Sequence, residues 1–240
     1  MMSEFGDTAP KLHNKLMGLL RHEKGGRLLD IPSGEGRLSY FLNKAGFEVI
    51  AADIDSEVFK ISGVDFLKCD MNNILPFRDN SFDHVLCVEG LEHLENTFHL
   101  FRELSRILKS GGKLFLSTPN ILSVQSRIRY LSIGHHAFFR GYYANRDNFY
   151  TYHINPAGFP QILTALEKAG LHLDRLDMNR IAPAFLSLGG NIILRLFAMF
   201  IRKMTYLKEK DEYLRQFLLS PELLFGEILI IVCSKIGTKY

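Results

Sequence analysis

Leu28-Leu29-Asp30-Ile31-Pro32-Ser33-Gly34-Glu35-Gly36-Arg37-Leu38-Ser39-Tyr40-Phe41-Leu42 is the stretch that decides the fold. It reads as a short apolar strand, a tight glycine turn and an amphipathic helix. Leu38, Phe41, Leu42 and Ala45 fall at helical spacing, and Gly46 stands where a left-handed C-terminal cap belongs. A strand that turns directly into a helix brings small-residue backbone to a ligand. It also aims the free N–H groups of the helix start at that ligand.

The same alternation continues outward from this turn. Before it, Leu12, Leu16, Leu19 and Leu20 mark a helix with Pro10 near its first turn and Gly25-Gly26 at its end. After it come strands at Phe47–Ala52, ending at Asp53, then Asp65–Cys69 followed by Asp70, and Asp83–Val88. Between the first two, Ser56–Ile61 leaves room for at most a brief helix. Asn96 caps a helix that Phe101, Leu104 and Leu108 face and Gly111-Gly112 stops, and Lys113–Ser117 is the fifth strand. Asn155-Pro156 reads as a cap and first helical position before Phe159, Ile162, Leu163 and Leu166. Leu171–Met178 and Glu227–Ser234 read as the last two strands. Compact apolar strands alternating with helices predict an α/β fold, a doubly wound and mostly parallel sheet with helices on both faces. Ligands bind such sheets at the strand C-terminal ends, where Asp30, Asp53, Asp70 and Glu89 follow successive strands.

The 240 residues carry a formal charge of +3 and are 47% hydrophobic, which fits one large globular domain and gives no electrostatic case for nucleic acid. Cys69, Cys87 and Cys233 lack CxxC spacing and sit in apolar runs, so they read as buried free thiols of a reducing, cytoplasmic compartment. Glu4, Asp7 and the lack of a long apolar core set the first residues apart from a signal peptide.

From Arg27 to Asn120 this order of parts resembles the class I, seven-stranded S-adenosylmethionine-dependent methyltransferases. The family's acid-x-Gly-x-Gly-x-Gly motif stands here as Asp30-Ile31-Pro32-Ser33-Gly34-Glu35-Gly36. The resemblance implies an antiparallel last strand and S-adenosyl-L-methionine as cofactor. Its methionine part would lie on the loop of Pro32, Ser33, Gly34 and Gly36, with Asp30 compensating the ammonium. Asp53, followed by Ile54, would take the ribose hydroxyls, a task suited to an acceptor-only carboxylate. Asp70 and Met71 would meet the adenine, and Glu89, following the fourth strand, would join the cofactor-binding residues. Two features depart from the family: Pro32 replaces the first glycine, and the segment after Asp53 is short.

An oxygen acceptor needs a base near neutral pKa, for which His93, just past the fourth strand, is the candidate catalytic residue. Glu89-x-x-Glu92-His93, with His153 as a distal fourth ligand, also resembles a divalent-metal pattern of some quinone-type O-methyltransferases, but no metal ligand is assigned. The chain reads as a single domain over 1–240. Its core comprises 27–118, 155–179 and 225–235, with a lid at 119–153 and a helical insertion at 180–224. Aromatics and bases crowd the lid, suiting a small-molecule, glycan or lipid-linked acceptor better than RNA. From Asn191 the insertion forms a basic amphipathic helix, expected to pack on the lid or on a second copy in a homodimer, or to touch a membrane surface through 181–204. Two other functions stay open, an NAD(P)-dependent oxidoreductase and a non-catalytic S-adenosylmethionine-binding regulator.

Overall fold

The computed structural model describes residues 11–139, 152–182 and 191–237. Helix α1 (Leu12–Leu20) precedes β1 (Arg27–Asp30), α2 (Arg37–Lys44), β2 (Glu48–Asp53), β3 (Asp65–Lys68) and β4 (Phe82–Val88). A 3-10 turn (Leu91–His93) leads to α3 (Thr97–Ile107), β5 (Leu108–Pro119) and α4 (Val124–Ile133). Then follow α5 (Phe159–Lys168), β6 (Leu171–Met178), α6 (Asn191–Lys208), α7 (Glu212–Leu218), α8 (Pro221–Phe225) and β7 (Ile228–Lys235). The strands form one seven-stranded sheet in the order β3-β2-β1-β4-β5-β7-β6. β1 to β5 pair in parallel, and β7 runs antiparallel to both β5 and β6. The fold class expected from the sequence is therefore the one observed.

Side-chain alternation explains why both faces are covered. Leu29, Val85, Leu114 and Ile231 join α3 and α5 in one core, through Leu100, Leu104 and Ile162 among others. Their neighbours Leu28, Leu86, Phe115 and Ile230 point the other way and pack on α1 and α2, through Leu16, Leu20 and Leu42. Successive strand residues face opposite sides, so a run of apolar residues needs helices on both.

The 56–61 segment, expected to hold at most a brief helix, makes turns and no helix, and its Phe59 ring stacks on Phe66 at 4.7 Å. Three local expectations need correction. Leu108 does not close the third helix but begins β5, where it pairs with Phe82 and the strand runs on through Gly111-Gly112. Asn155 is not a helix cap, because its amide donates to Leu91 O and Thr97 Oγ1, pinning the incoming loop, and α5 starts after Gly158. Cys87 and Cys233 are buried free thiols as read, whereas Cys69 is only half-buried just beyond β3.

The lid contains α4, capped by Ser123 Oγ, which accepts from the Ser126 N–H. Residues 140–151 and 183–190, with parts of the lid and insertion, lie outside the described residues. The insertion forms α6, α7 and α8, and Ala198 and Ile201 of α6 pack with Val124 of α4 and Leu224 of α8. None of the described helices is long and apolar enough to cross a membrane.

Candidate active site

The C-terminal ends of β1, β2, β3 and β4 open into a cavity of about 1260 Å³. The turn after β1 forms its floor. Ile31 N–H donates to Leu86 O on β4, and Ser33 N–H donates to Ala52 O on β2. The residue between them stands where the chain switches from one strand to the other, so the missing N–H of Pro32 interrupts neither bond. The Ile31–Pro32 bond is cis. The positive backbone angles fall later, at Gly34 (φ 51°) and Gly36 (φ 86°), so the loop does not require a glycine at position 32.

The two glycines do different work. A Cβ on Gly34 would meet nothing within 4 Å, so this residue leaves the cavity open. A Cβ on Gly36 would lie 2.5 Å from Phe59 and 2.6 Å from Ile61. Gly36 is thus held by packing and by its place as the left-handed N-cap of α2, and it does not line the cavity.

Asp53 Oδ2 accepts from the Gly34 N–H at 2.9 Å and Oδ1 from the Asp55 N–H at 3.1 Å. This clasp fixes the glycine loop to the end of β2 and leaves lone pairs for a ligand. Beyond it lie Ile54, Asp70 and Met71; Asp70 is itself ordered by the Asn72 N–H and the Asn73 amide. Gly90 makes room for its neighbours, since a Cβ there would stand 2.5 Å from Pro32 and 3.1 Å from Met71. Asp30 is buried, and its Oδ2 accepts from Ser39 Oγ at 2.6 Å. The acid therefore secures the first turn of α2, and burial raises its pKa from 3.8 to about 7.

Glu89 sits at φ 52° with its N–H on Ser117, and among the described residues its buried Oε1 has no hydrogen-bond partner. Burial, reinforced by the charge of Glu227, raises its pKa to about 7. Glu92, fully buried, is raised too, by burial and then by Glu89. His93 Nδ1 lies 3.0 Å from the Tyr152 carbonyl, so the ring donates there and keeps Nε2 as acceptor. Burial lowers the His93 pKa and keeps the imidazole neutral near pH 7. His153 stands edge-on to it at 4.8 Å, its own pKa lowered to about 4 by burial and by His93. Glu92, His93 and His153 each offer a ligand atom within 4.8 Å of the others. Glu89 is not among them.

The structure thus brings the sequence-predicted residues to one cavity, Gly36 and Glu92 excepted. It also adds residues that no motif marks, including His13 of α1, Phe138 of the lid, Ile154 just after it, and Glu227 just before β7. Glu227 is held by Arg180, whose Nε donates to its Oε2 at 2.5 Å. Its position depends on β7 inserting antiparallel beside β5, a pairing invisible in local sequence.

Residues 29–116 match the family profile described as a methyltransferase domain. This stretch is a methyltransferase domain. Over 105 residues the chain is 36% identical to the ubiquinone biosynthesis O-methyltransferase of Xanthomonas oryzae pv. oryzae (strain PXO99A), covering 40% of this chain and 44% of that protein. The chain thus spans less than half the length of the curated relatives it matches. Outside the methyltransferase domain the likeness is one of fold. A SAM-dependent methyltransferase from Archaeoglobus fulgidus superposes with TM-score 0.59 at 18% identity, covering 93% of this chain and 94% of that one. The [4+2]-cyclase SpnF superposes with TM-score 0.56 at 16% identity, covering 98% of this chain and 86% of its own.

Proposed function

We propose that the chain is an S-adenosylmethionine-dependent methyltransferase acting on an oxygen of a small molecule, a glycan or a lipid-linked intermediate. The supporting observation is the Asp53–Gly34 clasp at the rim of a cavity whose far side carries Asp70 and Met71. Gly34 leaves space for the methionine part, Asp53 receives the ribose hydroxyls, and Asp70 with Met71 holds the adenine. Asp30 acts on the ammonium through the start of α2. When bound, the cofactor supplies a methyl group already activated on a sulfonium. The protein then positions the acceptor in line with it and excludes water. His93 Nε2 would take the acceptor hydroxyl's proton, leaving its oxygen free to receive the methyl group that the bound cofactor would supply. The chain works in the cytoplasm, and a lipid-linked acceptor adds contact with a membrane surface.

The oxidoreductase alternative loses ground on topology. The dinucleotide fold runs 3-2-1-4-5-6 in parallel, whereas here an antiparallel β7 separates β5 from β6. Calorimetry with S-adenosylmethionine, S-adenosylhomocysteine and NAD tests the assignment, with binding of the first two, none of NAD and loss in Asp53→Ala expected. Binding without turnover across an acceptor panel would mark a regulator.

A metal-assisted form of the same reaction has its own support. Among the described residues, Glu92 Oε1 and His153 Nδ1 are buried without hydrogen-bond partners, and with His93 they make a nitrogen–oxygen donor set suited to a divalent cation. Such an ion would polarise the acceptor oxygen. Titration with Co²⁺, read by its visible bands in wild type and His153→Ala, decides it; bands of equal strength in both remove the site.

A further inference from the structure

We infer that the lobe built from α4 and α6 docks onto an anionic lipid surface beside the mouth of the active site. One face of α6 is spent on the protein, with Ala198 and Ile201 buried against α4 and α8. At 100° per residue the opposite face carries Ile192, Leu196, Met199, Phe200 and Leu207, each more than half exposed. Helix α4, on which α6 packs, ends in Tyr130, Leu131 and Ile133, all likewise more than half exposed. Singly exposed apolar residues are ordinary; this many in succession along one helix face mark a contact surface.

Charge selects the occupant. Helix α6 carries Arg195, Arg202, Lys203 and Lys208, α4 carries Arg127 and Arg129, and neither contains Asp or Glu. Among the described residues, Arg195, Arg202 and Lys203 form no salt bridge. Against a second copy, this face would set cations against cations. Against anionic headgroups, Arg195 and Arg202 line one edge of the apolar stripe and Lys203 rises from within it, so the stripe can enter the acyl boundary while these cations reach the headgroups. The lobe also lies next to the chemistry. A cavity of about 280 Å³ lined by Ser123 and Gln125 at the start of α4 and by Arg129 midway along it shares Phe138 and Glu227 with the large cavity. The surface therefore extends the proposed reading toward an acceptor delivered from a membrane, while its test reads lipid binding alone.

The test is flotation of the full chain with phosphatidylcholine vesicles, with and without phosphatidylglycerol. The expected result is flotation only with phosphatidylglycerol, reversed by high salt. It should fall at least about tenfold in Leu196→Ser/Phe200→Ser and in Arg195→Glu/Lys203→Glu. S-adenosylhomocysteine affinity, measured on the same samples, should stay at the wild-type value and show the variants folded. Wild type that does not float with anionic vesicles overturns the inference, as do variants that float equally. So does a wild-type dimer that Leu196→Ser/Phe200→Ser converts to monomer without any lipid binding.

Discussion

Asp30 shows how one residue of the turn is tuned. Its carboxyl is sealed under α2 with a pKa of about 7, against 3.8 when exposed. Between those values the folded state holds a proton that the unfolded state has released. The contribution is thus fully present below pH 3.8 and is lost as pH rises through 7. Asp30→Asn removes this dependence, so its melting temperature relative to wild type should climb from about pH 4 to about pH 7. A pH-independent difference would show that Asp30 ionises normally in the fold. His93→Gln keeps a polar side chain but loses the base, and should lower methyl transfer by about 10²–10⁴-fold with cofactor affinity unchanged. Unaltered turnover would take His93 out of the reaction. The two glycines separate in the same way. Gly36→Ala should destabilise by about 1–3 kcal/mol or more, because a strained backbone angle adds to the collision with Phe59 and Ile61. Gly34→Ala carries only the backbone strain and should instead weaken S-adenosylmethionine; chemical denaturation and calorimetry on both variants read the contrast.

Among the elements, the junction of β5 with α8 is the most specifically wired. The buried Asn120 amide donates to the carbonyls of Glu222, Leu223 and Gly226, and its Oδ1 accepts from the Leu122 N–H. Asn120→Ala strips this donor from the Leu223 and Gly226 carbonyls, while Glu222 O keeps the Gly226 N–H, and should cost about 2–5 kcal/mol, seen as a lower denaturant midpoint; a loss within 0.5 kcal/mol, about the level of a surface change, would mean water replaces the amide. Nothing in the local sequence announces that role, because the partners stand about 100 positions away. The strands were legible for the opposite reason. Leu28-Leu29 and Val85-Leu86 are adjacent apolar pairs that a doubly covered sheet needs and no half-exposed one tolerates. Boundaries were harder to read. Leu108 has helical spacing from Leu104, yet pairing with Phe82 draws it into β5. In α6 the amphipathic pattern was legible but its orientation was not, since Phe197 joins the packed side and Leu196 the open one.

For the whole molecule, ligand linkage gives the broadest check. If the cavity takes the cofactor in the folded state alone, S-adenosylhomocysteine at about 100 times its Kd adds about 2.7 kcal/mol of stability. For a chain of this size that is a melting shift of about 5–11 °C. NAD should give none, and Asp53→Ala should lose the shift; an equal shift with NAD would overturn the assignment. The acids at successive strand ends were readable because a parallel sheet brings those ends to one edge. Glu227, His13 and the lid were not, because they arrive from the chain's two ends and from a segment without a period. One contact reaches further than its size suggests. The Pro32 ring fills the space that a side chain at position 90 would need. The two positions should therefore vary together across related sequences: where 32 is glycine, 90 is free to carry a larger residue, and where 32 is proline, 90 stays glycine.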